Sequence, residues 1–148
     1  MKRLLLLTPL VLVLAACGGA RPAHPVLSHT TRLDDTPLRL DIEGLHRVGQ
    51  VAAVDLRLAN RADASTDTFS IDDTFSADGY SADVGGILLL DSRTGQPLTA
   101  LGAGEADLTT ELAPGGTQMI RAAFRAPRGD RADVFVPHFG LFRDVPVR

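Results

Sequence analysis

The chain contains few of the residues that form covalent cross-links or aromatic binding surfaces. Among its 148 residues there is one cysteine, one tyrosine and no tryptophan. A single cysteine excludes an intrachain disulfide, so a folded domain must be stabilised by packing of its apolar side chains. The scarcity of tyrosine and tryptophan disfavours sugar-stacking platforms and interfaces that depend on aromatic anchors.

Basic charge is also limited. Lys2 is the only lysine, and 15 basic side chains stand against 18 acidic ones, which gives a formal net charge of −3. No segment collects basic residues into a stripe of the kind that neutralises a phosphate backbone. We therefore expect no nucleic-acid partner.

The N-terminal residues have the three-part pattern of a secretory signal. A basic head at Lys2 and Arg3 precedes an apolar run over residues 4–14, and Ala15 and Ala16 supply the small residues of a cleavage site. The apolar run is too short to be a transmembrane helix, which needs about 20 residues. The pattern predicts that residues 1–16 are a lipoprotein signal peptide that is removed.

The lone cysteine follows directly. Residues 14–17, Leu-Ala-Ala-Cys, resemble the bacterial lipobox, whose cysteine is joined to a diacylglycerol and becomes the first residue. An incidental free thiol is the alternative, but acylation also explains why an exported chain has only one cysteine. Two or three acyl chains suffice for stable anchoring. We expect a lipid on Cys17 that holds the protein at the extracytoplasmic face of the cell membrane.

Beyond the cysteine, the composition changes twice. Residues 17–36 are rich in Gly, Pro, Ser and Thr without apolar periodicity, which predicts a lipidated flexible tether. From residue 37 onward apolar and polar residues alternate with a period of two, as in half-buried strands, and no helical period is sustained. The clearest strands are predicted at 51–60 and 117–126. Further strands are predicted at 38–42, 68–71, 87–90, 97–101, 108–112, 134–139 and 142–147.

Some of these segments allow finer predictions. Four consecutive apolar residues at 87–90 predict a strand buried on both faces. Pro137 cannot donate a ladder hydrogen bond, which predicts an edge or bulged position for its strand. Pro114 followed by Gly115 predicts a type II turn over residues 113–116. The alternation predicts a core that contains Leu40, Ile42, Val54, Leu56, Leu58, Leu88, Leu90, Ile120, Phe124 and Val136.

Seven to eight short strands in residues 37–148 favour an all-β fold, an antiparallel immunoglobulin-like β-sandwich. Residues 54–60, the segment 86–91 with its Gly95 turn, and residues 112–116 and 124–127 resemble small immunoglobulin-like domains of actinobacterial lipoproteins and secreted proteins. Residues 134–146 are similar to the C-terminal strands of these domains. The resemblance implies the sandwich fold and supplies no catalytic residue.

The remaining candidates for chemistry are weak. There is no Gly-x-Ser-x-Gly elbow for a serine nucleophile, and the four histidines are scattered. We therefore expect no enzymatic activity and no cofactor. The expected function is a non-enzymatic binding or spacer module in the cell envelope that contacts an envelope protein or a cell-wall partner.

The alternative depends on an Asp-rich loop at residues 63–83. Calcium takes six to eight oxygen ligands, and Asp72, Asp73 and Asp78 could provide some of them. Their spacing does not match an EF-hand, and Phe75 and Tyr80 are few apolar residues for so long a segment. We expect a mobile surface loop without a bound metal, with a calcium-binding or hydrolytic envelope protein as the alternative.

Overall fold

The computed structural model describes residues 26–63, 68–71, 74–75, 84–103 and 111–148. The secondary structure in these ranges consists of β-strands and turns. Within the same ranges no helix is long and apolar enough to cross a membrane. The strands are β1 (Leu27–Leu33), β2 (Thr36–Val48), β3 (Val51–Asn60), β4 (Phe69–Ser70), β5 (Leu88–Asp91), β6 (Ala100–Ala103), β7 (Glu111–Leu112), β8 (Thr117–Arg125), β9 (Arg131–Val136) and β10 (Gly140–Pro146).

The largest sheet has five strands in the order β1-β2-β3-β8-β6. Its centre is the antiparallel pair β3 and β8, in which Leu56 lies opposite Ile120 and Ala52 lies opposite Phe124. All four side chains are buried, because alternation in each strand directs the same apolar set to one face. The two strands that the sequence predicted most clearly are thus confirmed at the centre of the sheet.

Two smaller sheets complete the fold, one with the order β10-β9-β5 and one that pairs β4 with β7. The strands within all three sheets pair in antiparallel fashion. Buried side chains from every sheet belong to a single hydrophobic cluster. The predicted all-β, antiparallel class is therefore confirmed.

Short turns join the first three strands into a meander. Asp34 and Asp35 connect β1 to β2 with φ angles of 45° and 64°, which is the combination of a two-residue type I′ hairpin. Gly49 opens the two-residue turn between β2 and β3 with φ at 62°, a conformation that favours glycine.

The predicted type II turn is present. Gly116 N donates to Ala113 O at 2.8 Å, and Gly115 has φ at 74°. Proline sets the negative φ of the second position and glycine accepts the positive φ of the third.

The predicted tether boundary is wrong. Residues 27–33 of the supposed tether form β1, which pairs with β2 along its whole length. Leu27 and Leu33 pack against the core, while Ser28 on the other face donates to Asp41 at 2.6 Å. The folded part therefore begins at least ten residues before residue 37. Although β1 is mostly polar, backbone pairing with β2 and the packing of two leucines stabilise it.

The predicted core is confirmed except at two leucines. Leu88 is 40% exposed and Leu90 is only half-buried, whereas Leu89 is completely buried. The central strand of the same sheet, β9, also alternates between buried and less buried residues, so this sheet packs on the core with one face only. The prediction of a strand buried on both faces is therefore wrong.

Pro137 lies outside β9, which ends at Val136. The chain turns there, with Phe139 N donating to Val136 O at 3.1 Å. Since β9 lies between β10 and β5, the prediction that Pro137 marks an edge or bulged strand is wrong. The proline lies in the turn after a central strand.

Candidate functional site

The residues that the sequence singled out for chemistry, Cys17, Asp72, Asp73 and Asp78, lie outside the described residues. One residue within the Asp-rich stretch, Phe75, makes an apolar contact that the sequence did not predict. Phe75 is completely buried, and its ring stacks on Phe139 with centroids 6.5 Å apart.

The most distinctive surface feature is a cleft of about 560 Å³ at one end of the five-stranded sheet. It lies between the β2–β3 hairpin, the segment that follows β8 and the turn after β5. Four arginines line it, namely Arg47, Arg93, Arg125 and Arg128, together with Asp91. We call it the arginine cleft.

Hydrogen bonds connect the three segments, and Arg125 N donates to Thr99 O at 2.8 Å, which ties the end of β8 to the chain after β5. Ala126 N donates to Gln50 O at 2.8 Å, which ties the end of β8 to the β2–β3 hairpin. The Arg47 guanidinium donates through Nη2 to Gly129 O and crosses from the hairpin to the turn beyond β8. The arginine cleft is therefore bounded by hydrogen-bonded main chain.

The carboxylate in the cleft, that of Asp91, accepts hydrogen bonds from the backbone of its own turn. Asp91 Oδ1 accepts hydrogen bonds from Arg93 N at 3.0 Å and Thr94 N at 3.1 Å. The backbone hydrogen bond from Arg93 is the main reason that the pKa of Asp91 lies below its usual value, with the Thr94 hydrogen bonds adding to it. Among the described residues no carboxylate forms an ion pair with Arg125 or Arg128.

No family model, curated protein or solved structure matches the chain. The chemistry of the cleft is therefore inferred from its residues. Arginine presents a planar set of donors that matches phosphate and carboxylate groups, and it remains charged at all physiological pH values. The arrangement is suited to binding anionic groups. In the described part of the chain no three His, Cys, Asp or Glu side chains are grouped to hold a metal ion.

A second charged cluster lies on the outer face of the five-stranded sheet. Asp41 is 1% exposed, although its neighbours on that face are polar. Its carboxylate accepts hydrogen bonds from Ser28 Oγ at 2.6 Å, Arg39 Nε at 2.7 Å and Arg57 Nη2 at 2.8 Å. Arg57 Nε also lies 2.8 Å from Glu43 Oε1, without hydrogen-bond alignment.

The electrostatics of Asp41 are dominated by opposing effects. Burial alone would raise its pKa, but the hydrogen bonds from Ser28, Arg39 and Arg57 outweigh burial, and the pKa lies below its ordinary value. An aspartate that is ionised and fully hydrogen-bonded has no free proton to exchange near neutral pH. We assign this cluster to the stability of the sheet.

Sequence reasoning missed the arginine cleft. Its members come from positions 47, 93, 125 and 128, so no local spacing connects them. The available signal was the outward position of Arg125 on β8, followed by a second arginine three residues later. That signal does not indicate which other segments lie nearby.

For the Asp-rich loop we expect no effect of calcium on stability. The thermal unfolding midpoint of the protein should be the same in EDTA and in excess calcium, because these aspartates do not share the spacing of a calcium loop. Bound calcium would raise the midpoint through linkage. A rise that disappears in the variant Asp72→Asn/Asp73→Asn/Asp78→Asn would contradict the expectation and assign a cation site to this loop.

Proposed function

We propose that the chain is a lipid-anchored extracytoplasmic protein whose folded part is a non-enzymatic binding or spacer module of the cell envelope. The observation that carries this proposal is the Leu-Ala-Ala-Cys tetrapeptide at residues 14–17, placed directly after a basic head and an apolar run. A lipid on Cys17 would give the chain its membrane partner.

For the fold we propose the immunoglobulin-like β-sandwich. A five-stranded and a three-stranded antiparallel sheet contribute to one buried cluster, which supports this proposal. The strand order also brings β3 beside β8, which are far apart in sequence, and such non-local neighbours are usual in β-sandwiches.

The position of β1 supports a short connection between lipid and domain. Val26 N donates to Ile42 O at 2.7 Å, so at most nine residues separate Cys17 from the folded part. Nine fully extended residues span about 30 Å at most. A lipid on Cys17 would therefore keep the domain next to the bilayer surface and not project it far into the envelope.

Replacement of Cys17 by serine should abolish acylation. The mass of the wild-type protein isolated from membranes should correspond to a chain that begins at residue 17 and carries acyl groups. The Cys17→Ser protein should carry none, because the hydroxyl does not replace the thiol as acceptor. Pro22→Ala, a change in the same segment, should keep the lipid. An unmodified residue 17 in the wild-type protein would contradict the proposed anchoring.

A further inference from the structure

The two ends of the five-stranded sheet differ in charge. At the end with the β2–β3 hairpin, the arginine cleft is accompanied by Arg148, whose backbone N and O bond to Leu45 O and Arg47 N. The described acidic side chains near this end are Asp91, Asp130, Asp133 and Asp144, and the last two lie close to a further arginine, Arg131. The opposite end carries Asp34, Asp35, Asp63 and Glu111 with Arg32 and Arg61. The basic end therefore contrasts with a chain that is acidic overall.

The basic end also exposes apolar side chains. Val48 is 79% exposed and Val51 is 41% exposed, and the two face each other across the β2–β3 turn. Val51 lies opposite Arg125 of the cleft on the neighbouring strand. Apolar side chains that project beside arginines suit the boundary between lipid headgroups and acyl chains, where the valines leave water while the guanidinium groups stay hydrated.

The path of the chain places this end within reach of the anchor. β1 is antiparallel to β2, so Val26, directly before β1, lies toward the end of β2 and not toward its beginning. Ile42, the partner of Val26, lies six residues before Val48, or about 20 Å along the strand. The nine residues from Cys17 to Val26 span about 30 Å when extended. Cys17 can thus lie level with the tip of the hairpin.

We propose that the β2–β3 hairpin and the arginine cleft form a docking surface for the membrane that holds Cys17. The surface binds the phosphate groups of anionic phospholipids through the arginines and places Val48 at the bilayer interface. This inference rests on the proposed lipid anchor, which keeps the domain close to the membrane. It adds that one particular end of the domain faces the membrane. The acidic end of the domain then faces away from the membrane.

The expected size of the effect follows from the charge. Each arginine near an anionic bilayer contributes about 1 kcal/mol, or about fivefold in affinity. Removal of two arginines from the cleft should therefore weaken binding to anionic vesicles by about 10- to 30-fold. Added salt should reduce binding of the protein with all its arginines to anionic vesicles, because salt screens the attraction between exposed arginines and lipid phosphates.

The test uses residues 17–148, the chain that remains once the proposed signal peptide is removed, with Cys17→Ser so that no acyl group contributes. Binding is measured by co-sedimentation with vesicles of phosphatidylcholine alone and with vesicles that also contain phosphatidylglycerol. Arg125→Gln/Arg128→Gln is compared with Arg32→Gln/Arg61→Gln, which removes the same charge from the opposite end. Residues 17–26 are common to all variants, so any binding by this segment is the same in each of them. Equal thermal midpoints confirm that each variant is folded.

The proposal expects binding that requires phosphatidylglycerol, is weakened about 10- to 30-fold in Arg125→Gln/Arg128→Gln and is kept in Arg32→Gln/Arg61→Gln. Val48→Asn should also weaken binding relative to the parent protein. Met119→Asn is its control, at a residue that is 54% exposed elsewhere on the sheet, and it should not weaken binding. Equal losses in both arginine pairs, or binding that ignores phosphatidylglycerol, would overturn the proposal. Displacement by micromolar glycerol phosphate would also overturn it and indicate a pocket for a small phosphate ester. None of these results depends on acylation. The proposed lipid anchor is tested separately, by the mass of the wild-type protein isolated from membranes.

Discussion

Replacement of Phe124 by alanine should lower the free energy of unfolding by about 3–5 kcal/mol. Phe124 is 2% exposed and lies near the end of β8, opposite Ala52 on one side and Ala100 on the other. Two alanine neighbours cannot extend into the space that the ring leaves, so the cavity remains and its cost adds to the lost transfer energy. Urea unfolding followed by circular dichroism measures the change.

The matched control for this prediction is Phe135→Ala. Phe135 on β9 is only half-buried, so the same truncation removes less buried surface and should cost about 1–2 kcal/mol. If both variants lost equal stability, or if Phe124→Ala lost less than about 1 kcal/mol, the assignment of Phe124 to the core would be wrong.

Asp41→Asn should lower the free energy of unfolding by about 2–3 kcal/mol at neutral pH. The amide keeps the shape of the side chain but removes the charge that Arg39 and Arg57 share, and its NH₂ group faces donors. Complete burial of Asp41 makes this cost larger than for an exposed ion pair, while the partial exposure of the two arginines, at 33% and 37%, limits it. Asp55→Asn on the same face is the control. Its main partner, Arg121, is 68% exposed, so the change should cost less than about 1 kcal/mol.

The same variant should change the response to acid. The pKa of Asp41 in the folded protein lies below its ordinary value of 3.8, so the ionised form favours folding. This contribution is complete above about pH 4 and is lost as the pH falls through the lower folded pKa. The stability gap between the wild-type protein and Asp41→Asn should therefore narrow between pH 7 and about pH 3. A gap that stays constant over this range would show that the charge of Asp41 does not stabilise the fold.

The sequence predicted best where one face of a strand is buried. From Ala52 to Leu58 in β3 and from Ile120 to Arg125 in β8, buried residues alternate with residues that are exposed or half-buried, as the sequence predicted. The turn at Pro114 and Gly115 was also predictable, because its φ angles require those two residue types. In both cases the structure is decided by interactions between residues that are close together in the chain.

The errors arose where partners distant in sequence decide the structure. β1 contains Ser, His and Thr, and its stability depends on pairing with β2, which no pattern within residues 27–33 reveals. The Asp34 and Asp35 turn was not recognised because aspartates with positive φ are less common there than Asn-Gly. Leu88 is exposed because the three-stranded sheet packs on the core with one face only, which the residues of β5 alone do not reveal.

The candidate site was unpredictable for the same reason. The arginine cleft requires that the hairpin after β2, the turn after β5 and the end of β8 lie together. Each contributing segment is an ordinary polar turn in sequence. Its positive character becomes visible only when the sheet order places four arginines around one cavity.

The strand order also constrains how the domain assembles in time. β1, β2 and β3 are joined by two-residue turns, so closing each of their contacts costs little chain entropy. The β3–β8 pair instead joins Asn60 to Thr117, and closing that loop costs about 3 kcal/mol more than closing a two-residue turn. We therefore expect the meander to form early and the docking of β8 to limit the folding rate, which would leave the apolar face of β3 uncovered in the nascent protein until the segment beyond residue 117 has arrived.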